Sequence, residues 1–206
     1  IVMFFIINAI MGISIYFTLA SGQLSLGAAG FMSVGAYVGA MLSLKADLPI
    51  IVGIIIGGLV ASLVAVIIGL PTTRLRGLYL AIATLGFGEV VRVIFLNLDV
   101  TNGALGLSGI PSIPQELTNY AYEFDIDGLM GLDAVTWGNL MAIIILLVVL
   151  ALIIAFCVRI NNSRVGRAFA AIKADDHAAE LMGINVVYYK MMAFIIGAFI
   201  AGIGGG

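Results

Sequence analysis

Four long stretches of this sequence contain no charged side chain. They cover residues 1–44, 48–73, 134–158 and 191–206. A helix needs about 20 apolar residues to cross roughly 30 Å of hydrocarbon. The first three stretches, with 44, 26 and 25 residues, are long enough for such crossings. Charged residues make up only 10% of the chain, whereas soluble domains contain roughly 25%. The chain is therefore predicted to be a membrane protein and not a soluble globular domain.

The apolar pattern predicts an all-α fold that crosses the membrane several times. The first apolar segment has no basic start and no small-residue cleavage site, so we interpret it as a span and not as a signal peptide. The six predicted apolar segments are residues 1–20, 27–44, 48–70, 77–98, 137–158 and 191 onward.

Residues 21–30 interrupt the apolar pattern between the first two predicted spans. Gln23, Ser25 and Gly27 lie in this segment. Polar, glycine-rich backbone at membrane depth is tolerated only where protein covers it or water reaches it. The segment is therefore a candidate for a broken or re-entrant helix, and these three residues are candidates for lining a translocation path.

Small residues are spaced for close contact between helices. Gly35 with Gly39, and Gly53 with Gly57, form small-xxx-small pairs on predicted spans, and such pairs let helix backbones approach in lipid. We expect them to serve packing. The single Cys157 permits neither an internal disulfide nor a cysteine-based metal site, and we expect it to be a small buried apolar side chain.

Charge is distributed unequally between the predicted loops. Residues 99–136 contain six acidic and no basic residues, so the positive-inside rule predicts an external acidic loop. Within it, the glycines and prolines of residues 101–114 predict an irregular loop, and residues 119–128 are interpreted as an acidic linker. The basic residues of the predicted cytoplasmic side are Arg74 and Arg76 in one turn, and Arg159, Arg164, Arg167, Lys173 and Lys190 in the loop at residues 159–190.

The basic loop carries signals for two short helices at the membrane surface. Ser163 is a candidate N-cap of the first helix, which places Phe169 and Ile172 on one face. Asp175 or Asp176 is a candidate N-cap of the second helix, since carboxylates in a first turn favour the helix dipole.

The end of the second predicted helix and its small residues indicate a docking element. Gly183 followed by Ile184 fits a C′ glycine with an apolar residue after it. The small side chains of Ala178 and Ala179 suit insertion into a partner's groove. An alternative is an interfacial amphipathic helix that only rests on lipid headgroups.

The same residues resemble a known family. Ala178 and Ala179, with Gly183 after three further residues, resemble the "EAA" coupling motif of ABC importer permeases, although His177 stands where that motif has Glu. Residues 163–168 and 178–185 resemble the branched-chain amino acid permease branch, in particular its M-type membrane subunit. Supporting stretches in family order are residues 22–27, 35–37, 75–81, 87–92 and 106–111.

The resemblance implies a single transmembrane permease domain over residues 1–206. Family chains continue with further spans, and this chain starts at Ile1 and stops at Gly206 inside an apolar segment, so we expect a C-terminally truncated fragment. The implied function is translocation of branched-chain amino acids, without catalysis by this chain. The residues expected to couple it to ATPases are Arg164, Arg167, Asp175, Asp176, Ala178, Ala179 and Gly183.

The resemblance also implies partners and a location. The expected partners are two ATP-binding cassette subunits, a homologous second permease subunit, an extracytoplasmic solute-binding protein and membrane lipid. ATP and Mg²⁺ would be used by the partner ATPases, and no cofactor or metal is expected on this chain. The expected location is the inner or plasma membrane of a bacterium or archaeon. The net charge of −2 and the lack of a basic patch give no indication of nucleic-acid binding.

Two alternatives to this function stay open. A related importer for urea or another small solute would have a similar permease. From a different class, a secondary transporter or channel would need no ATPase, but such proteins more often show coupling carboxylates or an inverted repeat.

Glu89 and Arg92 lie three residues apart inside a predicted span. Ionisable groups in a span must pair or meet water, and this spacing places both on one helix face. A role in the translocation path or in gating is one interpretation. A structural ion pair near the outer end of the helix is the other.

Overall fold

The computed structural model describes residues 2–45, 49–72, 75, 77–107, 109–110, 112–123 and 134–206. The described residues form helices, turns and short irregular connections. The α-helices are α1 (Val2–Ala20), α2 (Ala28–Lys45), α3 (Ile50–Thr72), α4 (Leu78–Asn97), α5 (Ile113–Glu123), α6 (Ala134–Asn161), α7 (Arg164–Ala174), α8 (Asp176–Leu181) and α9 (Val186–Gly205).

Six helices in the described part are long and apolar enough to cross a membrane, namely α1, α2, α3, α4, α6 and α9. This confirms the all-α, polytopic fold. The starts and ends of the first five agree with the predicted segments to within a few residues. The sixth begins earlier than residue 191, because the side chain of Asn185 caps it by accepting a hydrogen bond from the backbone N–H of Tyr188 at 3.1 Å.

Helix α9 is the centre of the bundle and packs against α1, α2 and α3. The contacts of α2 with α3 and α9 depend on glycine. A Cβ atom placed on Gly35 would lie 2.2 Å from the carbonyl oxygen of Gly202, and one on Gly57 would lie 2.6 Å from the carbonyl oxygen of Gly35. No larger residue fits at either distance, which confirms the predicted packing role of these glycines.

Two polar contacts show which helix ends lie on the same side of the bundle. Asn161 donates from Nδ2 to the Tyr16 hydroxyl at 2.8 Å, which joins the last turns of α6 and α1. Lys45 donates from Nζ to the carbonyl oxygen of Val100 at 3.4 Å, which joins the end of α2 to the segment after α4. Both pairings agree with the predicted alternation of the spans.

Within the predicted external loop, the described residues 99–107 and 112–123 are more helical than the sequence predicts. Two short 3₁₀ turns, Asp99–Thr101 and Gly103–Leu105, follow α4, as expected for an irregular segment. Helix α5 then begins at Ile113 and packs against α6. The predicted loop is therefore wrong at its last two residues, since proline is tolerated in the first turn of a helix.

The predicted acidic linker is wrong over residues 119–123, which belong to α5. Glu116 in the first turn of α5 suits the helix dipole and gives a local reason for this helix. The predicted basic turn of Arg74 and Arg76, and the acidic side chains at positions 125, 127 and 133, lie outside the described residues. Cys157 is half-buried and packs at the edge of the apolar cluster between α1, α6 and α9.

Candidate functional site

The first candidate site is the pair of short helices α7 and α8 with their caps, residues 163–185, which we call the elbow. Ser163 caps α7 as predicted, because its hydroxyl oxygen accepts from the backbone N–H of Val165 at 3.1 Å and donates to the carbonyl of Ile160 at 2.6 Å. Phe169 and Ile172 are both buried. The inner face of α7 therefore packs on the bundle, and Phe169 meets Tyr189 of α9 edge to face at 6.3 Å.

Asp175 is the residue that starts α8. Its carboxylate accepts from the backbone N–H groups of His177 at 2.8 Å and Ala178 at 3.2 Å. The N-cap is therefore Asp175 and not Asp176, the other candidate from the sequence. The hydrogen bonds from these N–H groups hold the pKa of the Asp175 carboxyl below its ordinary value, and the bond from Ala178 contributes most. The backbone N–H of Asp175 donates to Ala171 at 3.1 Å, so one residue ends α7 and begins α8.

The end of α8 is a Schellman turn, as the sequence predicts. Gly183 has φ of 82°, and its N–H donates to the carbonyl of Glu180 at 3.0 Å. The N–H of Ile184 donates to the carbonyl of Ala179 at 3.1 Å. Glycine adopts this positive φ at little cost, so the turn that directs the chain from α8 into α9 depends on it.

Asp176 has a role that the sequence does not reveal. Its Oδ2 lies 2.5 Å from Nζ of Lys190, which is only 7% exposed. The ion pair joins α8 to the N-terminal part of α9. The two residues are 14 positions apart and are brought together by the Gly183 turn, so no local spacing rule predicts this contact.

The elbow presents a different surface from the one expected. Ala179 is 3% exposed and packs inward, so it does not face a partner, whereas Ala178 is exposed. The outward tip consists of Leu181, 89% exposed, and Met182, 84% exposed. The sequence signal for this tip is a pair of apolar residues at the exposed end of α8, next to the C′ glycine. Arg164 and Arg167 are exposed on α7, on the same elbow.

The segment between α1 and α2 forms a junction in which buried and exposed residues alternate. Residues 21–27 are not helical, and Gln23 is 3% and Ser25 5% exposed. These residues and Gly27 are covered by the chain's own packing, so in this structure they do not line an open path. A cavity of about 10 Å³ beside Ser14, Thr18 and Ser25 has room for roughly one water molecule.

The junction touches both the elbow and α4. A Cβ atom on Gly22 would lie 3.1 Å from the Cα of Lys173, which shows how closely the junction packs on α7. At its other end, the backbone N–H of Leu26 donates to Oγ1 of Thr84 at 2.9 Å. Thr84 is fully buried on the inner face of α4. The segment thus connects the elbow to α4 through direct contacts.

The second candidate site is the ion pair on α4. Arg92 donates from Nη2 to Glu89 Oε1 at 2.8 Å and from Nε to Oε1 and Oε2 at 3.1 and 3.2 Å. The side chains are 65% and 57% exposed. Glu89 and Arg92 therefore do pair, but they face away from the rest of the described chain. Leu85 and Val93, on the same face, are 57% and 47% exposed.

Comparison with known proteins identifies the family of the chain. A family model described as "Branched-chain amino acid transport system / permease component" matches residues 1–206. The high-affinity branched-chain amino acid transport system permease protein LivM of Salmonella typhimurium strain LT2 is 33% identical over 209 positions, which cover 97% of this chain and 47% of that protein. LivM of Escherichia coli strain K12 is 35% identical over 211 positions with the same coverage.

The chain spans about half the length of the curated relatives that it matches. No solved structure matches it. The family match extends from the first residue to the last and includes the elbow, the junction and the α4 ion pair. The chain therefore belongs to the family of branched-chain amino acid transport permease components.

Proposed function

We propose that this protein is the membrane-spanning permease subunit of an ATP-driven importer for branched-chain amino acids. The elbow receives the ATPase subunits in the cytoplasm, and a solute-binding protein delivers substrate on the opposite side. A second, homologous permease subunit completes the path. ATP and Mg²⁺ are bound by the ATPase partners. The protein lies in the inner or plasma membrane of a bacterium or archaeon.

The self-capped elbow with an apolar tip is the observation that supports this function best. Its helix ends are defined by Ser163, Asp175 and Gly183, so the chain itself holds the tip in place. Leu181 and Met182 project from it and contact little of the described chain. Apolar side chains on a short rigid helix fit a hydrophobic groove on a partner. Arg164 and Arg167 add positive charge for the same contact.

The test uses the full-length protein assembled with its ATPase, second permease and binding protein in proteoliposomes. Leu181→Asp places a charge in the proposed contact, and loss of such an anchor is expected to lower the ATP hydrolysis stimulated by the loaded binding protein about tenfold or more. Glu180→Gln is the control on the same helix and is expected to behave like wild type. Gly183→Val, which disturbs the positive φ, is expected to act like Leu181→Asp.

Full stimulated ATP hydrolysis in both Leu181→Asp and Gly183→Val would contradict the docking role. If the elbow only rests on lipid headgroups, Leu181→Asp weakens its contact with the membrane surface but leaves ATP hydrolysis intact. Fluorescence of a probe attached at position 178 distinguishes docking on the ATPase from contact with lipid headgroups. Only docking makes the probe respond to added ATPase subunits.

A further inference from the structure

The outer face of α4 carries charges where a span facing lipid would carry none. Glu89 lies near the middle of the Leu78–Asn97 helix, and its side chain is 57% exposed. Charged groups at membrane depth face a bundle interior or a water-filled cavity, because hydrocarbon does not solvate them. The bundle in the described residues lies on the other side of α4, where Leu80, Thr84 and Val91 are buried.

The ion pair has capacity for further hydrogen bonds. A guanidinium offers five N–H donors and a carboxylate about four acceptor sites. In the described structure, Arg92 uses only Nε and one hydrogen of Nη2, all of them toward Glu89. An ammonium group can therefore bind the Glu89 carboxylate, and a carboxylate can bind the outer edge of Arg92, without the pair separating.

The surroundings of the pair are aliphatic and leave space. Leu85 and Val93 flank it on the same face and are about half exposed. Gly86 lies one turn before Glu89 on the helix, and a Cβ atom there would have no atom of another described element within 4 Å. The face thus combines one positive charge, one negative charge and branched apolar side chains on an exposed surface of the described chain.

The geometry points to this α4 face as a binding site in the translocation path for the zwitterion of an aliphatic amino acid. The substrate ammonium binds Glu89, the substrate carboxylate binds Arg92, and the branched side chain lies against Leu85 and Val93. Charge complementarity and the aliphatic surroundings select this ligand over a urea-like solute, because such a solute has no charged groups to pair with Glu89 and Arg92. This inference rests on the proposed transport function and assigns residues to it.

The test measures ATP-dependent leucine uptake by the full-length importer in proteoliposomes. Wild-type protein is measured first, because absence of ATP-dependent uptake there would overturn the proposed function itself. Glu89→Gln and Arg92→Gln are each expected to lower leucine uptake about tenfold or more, the effect of losing one charge-assisted hydrogen bond. Asp99→Asn, an exposed carboxylate after α4, is the matched control and is expected to transport normally.

Two double variants separate a substrate site from a structural pair. Glu89→Gln with Arg92→Gln is expected to stay inactive, because neither charge remains for the zwitterion. Glu89→Arg with Arg92→Glu keeps both charges on the face and is expected to recover part of the uptake. Recovery by the doubly neutral variant would show a purely structural pair and would overturn the inference. Wild-type leucine uptake in both single variants would also overturn it, as would equal losses for leucine and for an uncharged solute.

Discussion

The elbow and the outer face of α4 both place charged groups at the surface of this chain, but they differ in what completes them. In the elbow, the chain supplies the partners: Asp175 caps α8 and Asp176 pairs with Lys190. On α4, Glu89 and Arg92 bind only each other in the described structure and stay more than half exposed. The charged groups of the elbow are thus completed within the chain, whereas Glu89 and Arg92 stay exposed outside their own pair.

Removal of the Asp176 carboxylate is expected to cause the largest loss of stability. Asp176→Ala leaves the Lys190 ammonium, 7% exposed, without its counter-charge, and breaking a buried pair in this way costs about 3–5 kcal/mol. Thermal unfolding of the purified protein in detergent measures the effect. Glu180→Ala removes an exposed carboxylate from the same helix and is the control. Equal unfolding temperatures for the two variants would contradict the claim that the Asp176–Lys190 pair stabilises the elbow.

The inner face of α4 is expected to be anchored by Thr84, in contrast to the outer face. Thr84→Val keeps the shape of the side chain but leaves the N–H of Leu26 without its acceptor, and an unsatisfied buried donor costs about 1–3 kcal/mol. Thr84→Ser keeps the hydroxyl and should lose less. The same unfolding measurement compares the variants, and a Thr84→Val protein as stable as Thr84→Ser would show that the junction does not depend on this bond.

The order of α8 is expected to depend on pH only under acid conditions. The backbone N–H groups of Ala178 and His177 lower the pKa of Asp175 below 3.8. A carboxyl with a lowered folded pKa contributes stability above its unfolded pKa and loses it as the pH falls through the folded value. Amide hydrogen exchange of α8, corrected for its intrinsic pH dependence, should therefore rise only below roughly pH 4.

Asp175→Asn is the control for that titration, because asparagine makes the same N-cap hydrogen bonds without ionising. Its α8 amides should show no acid-induced rise. A rise of equal size in the variant and the wild type would assign the transition to another group.

The smallest expected effect on stability is that of the doubly neutral variant Glu89→Gln with Arg92→Gln. The pair is exposed in this chain, and exposed ion pairs contribute little to stability. The unfolding temperature in detergent should match that of wild type even though uptake is lost. A loss as large as that of Asp176→Ala would show that the two regions do not differ as described.

Much of the fold and the elbow follows from local sequence signals. Long apolar stretches mark the spans, including α4 despite its two charged residues, because a crossing needs about 20 mainly apolar residues. Ser163 and Gly183 mark helix ends because their conformations and hydrogen bonds are local. The close packing at Gly35 is also predictable from the sequence, because only small residues permit close contact between helices.

Other features depend on distant contacts and were not predictable. The Asp176–Lys190 pair requires the turn between α8 and α9, and the inward position of Ala179 requires the packing of the elbow on the bundle. The outward orientation of Glu89 depends on which side of α4 meets the bundle. Periodicity places Glu89 and Arg92 on one face but does not tell which face is covered.

Cysteine accessibility in the assembled importer tests the central contrast most directly. In a Cys157→Ser background, Gly86→Cys reports on the α4 face and Ala178→Cys on the elbow, and both positions are exposed in this chain. A water-soluble thiol reagent should label Gly86→Cys more slowly when leucine is transported and Ala178→Cys more slowly when ATPase subunits are bound. If only a lipid-soluble reagent reaches Gly86→Cys, and leucine has no effect, the α4 face meets lipid and the account is wrong.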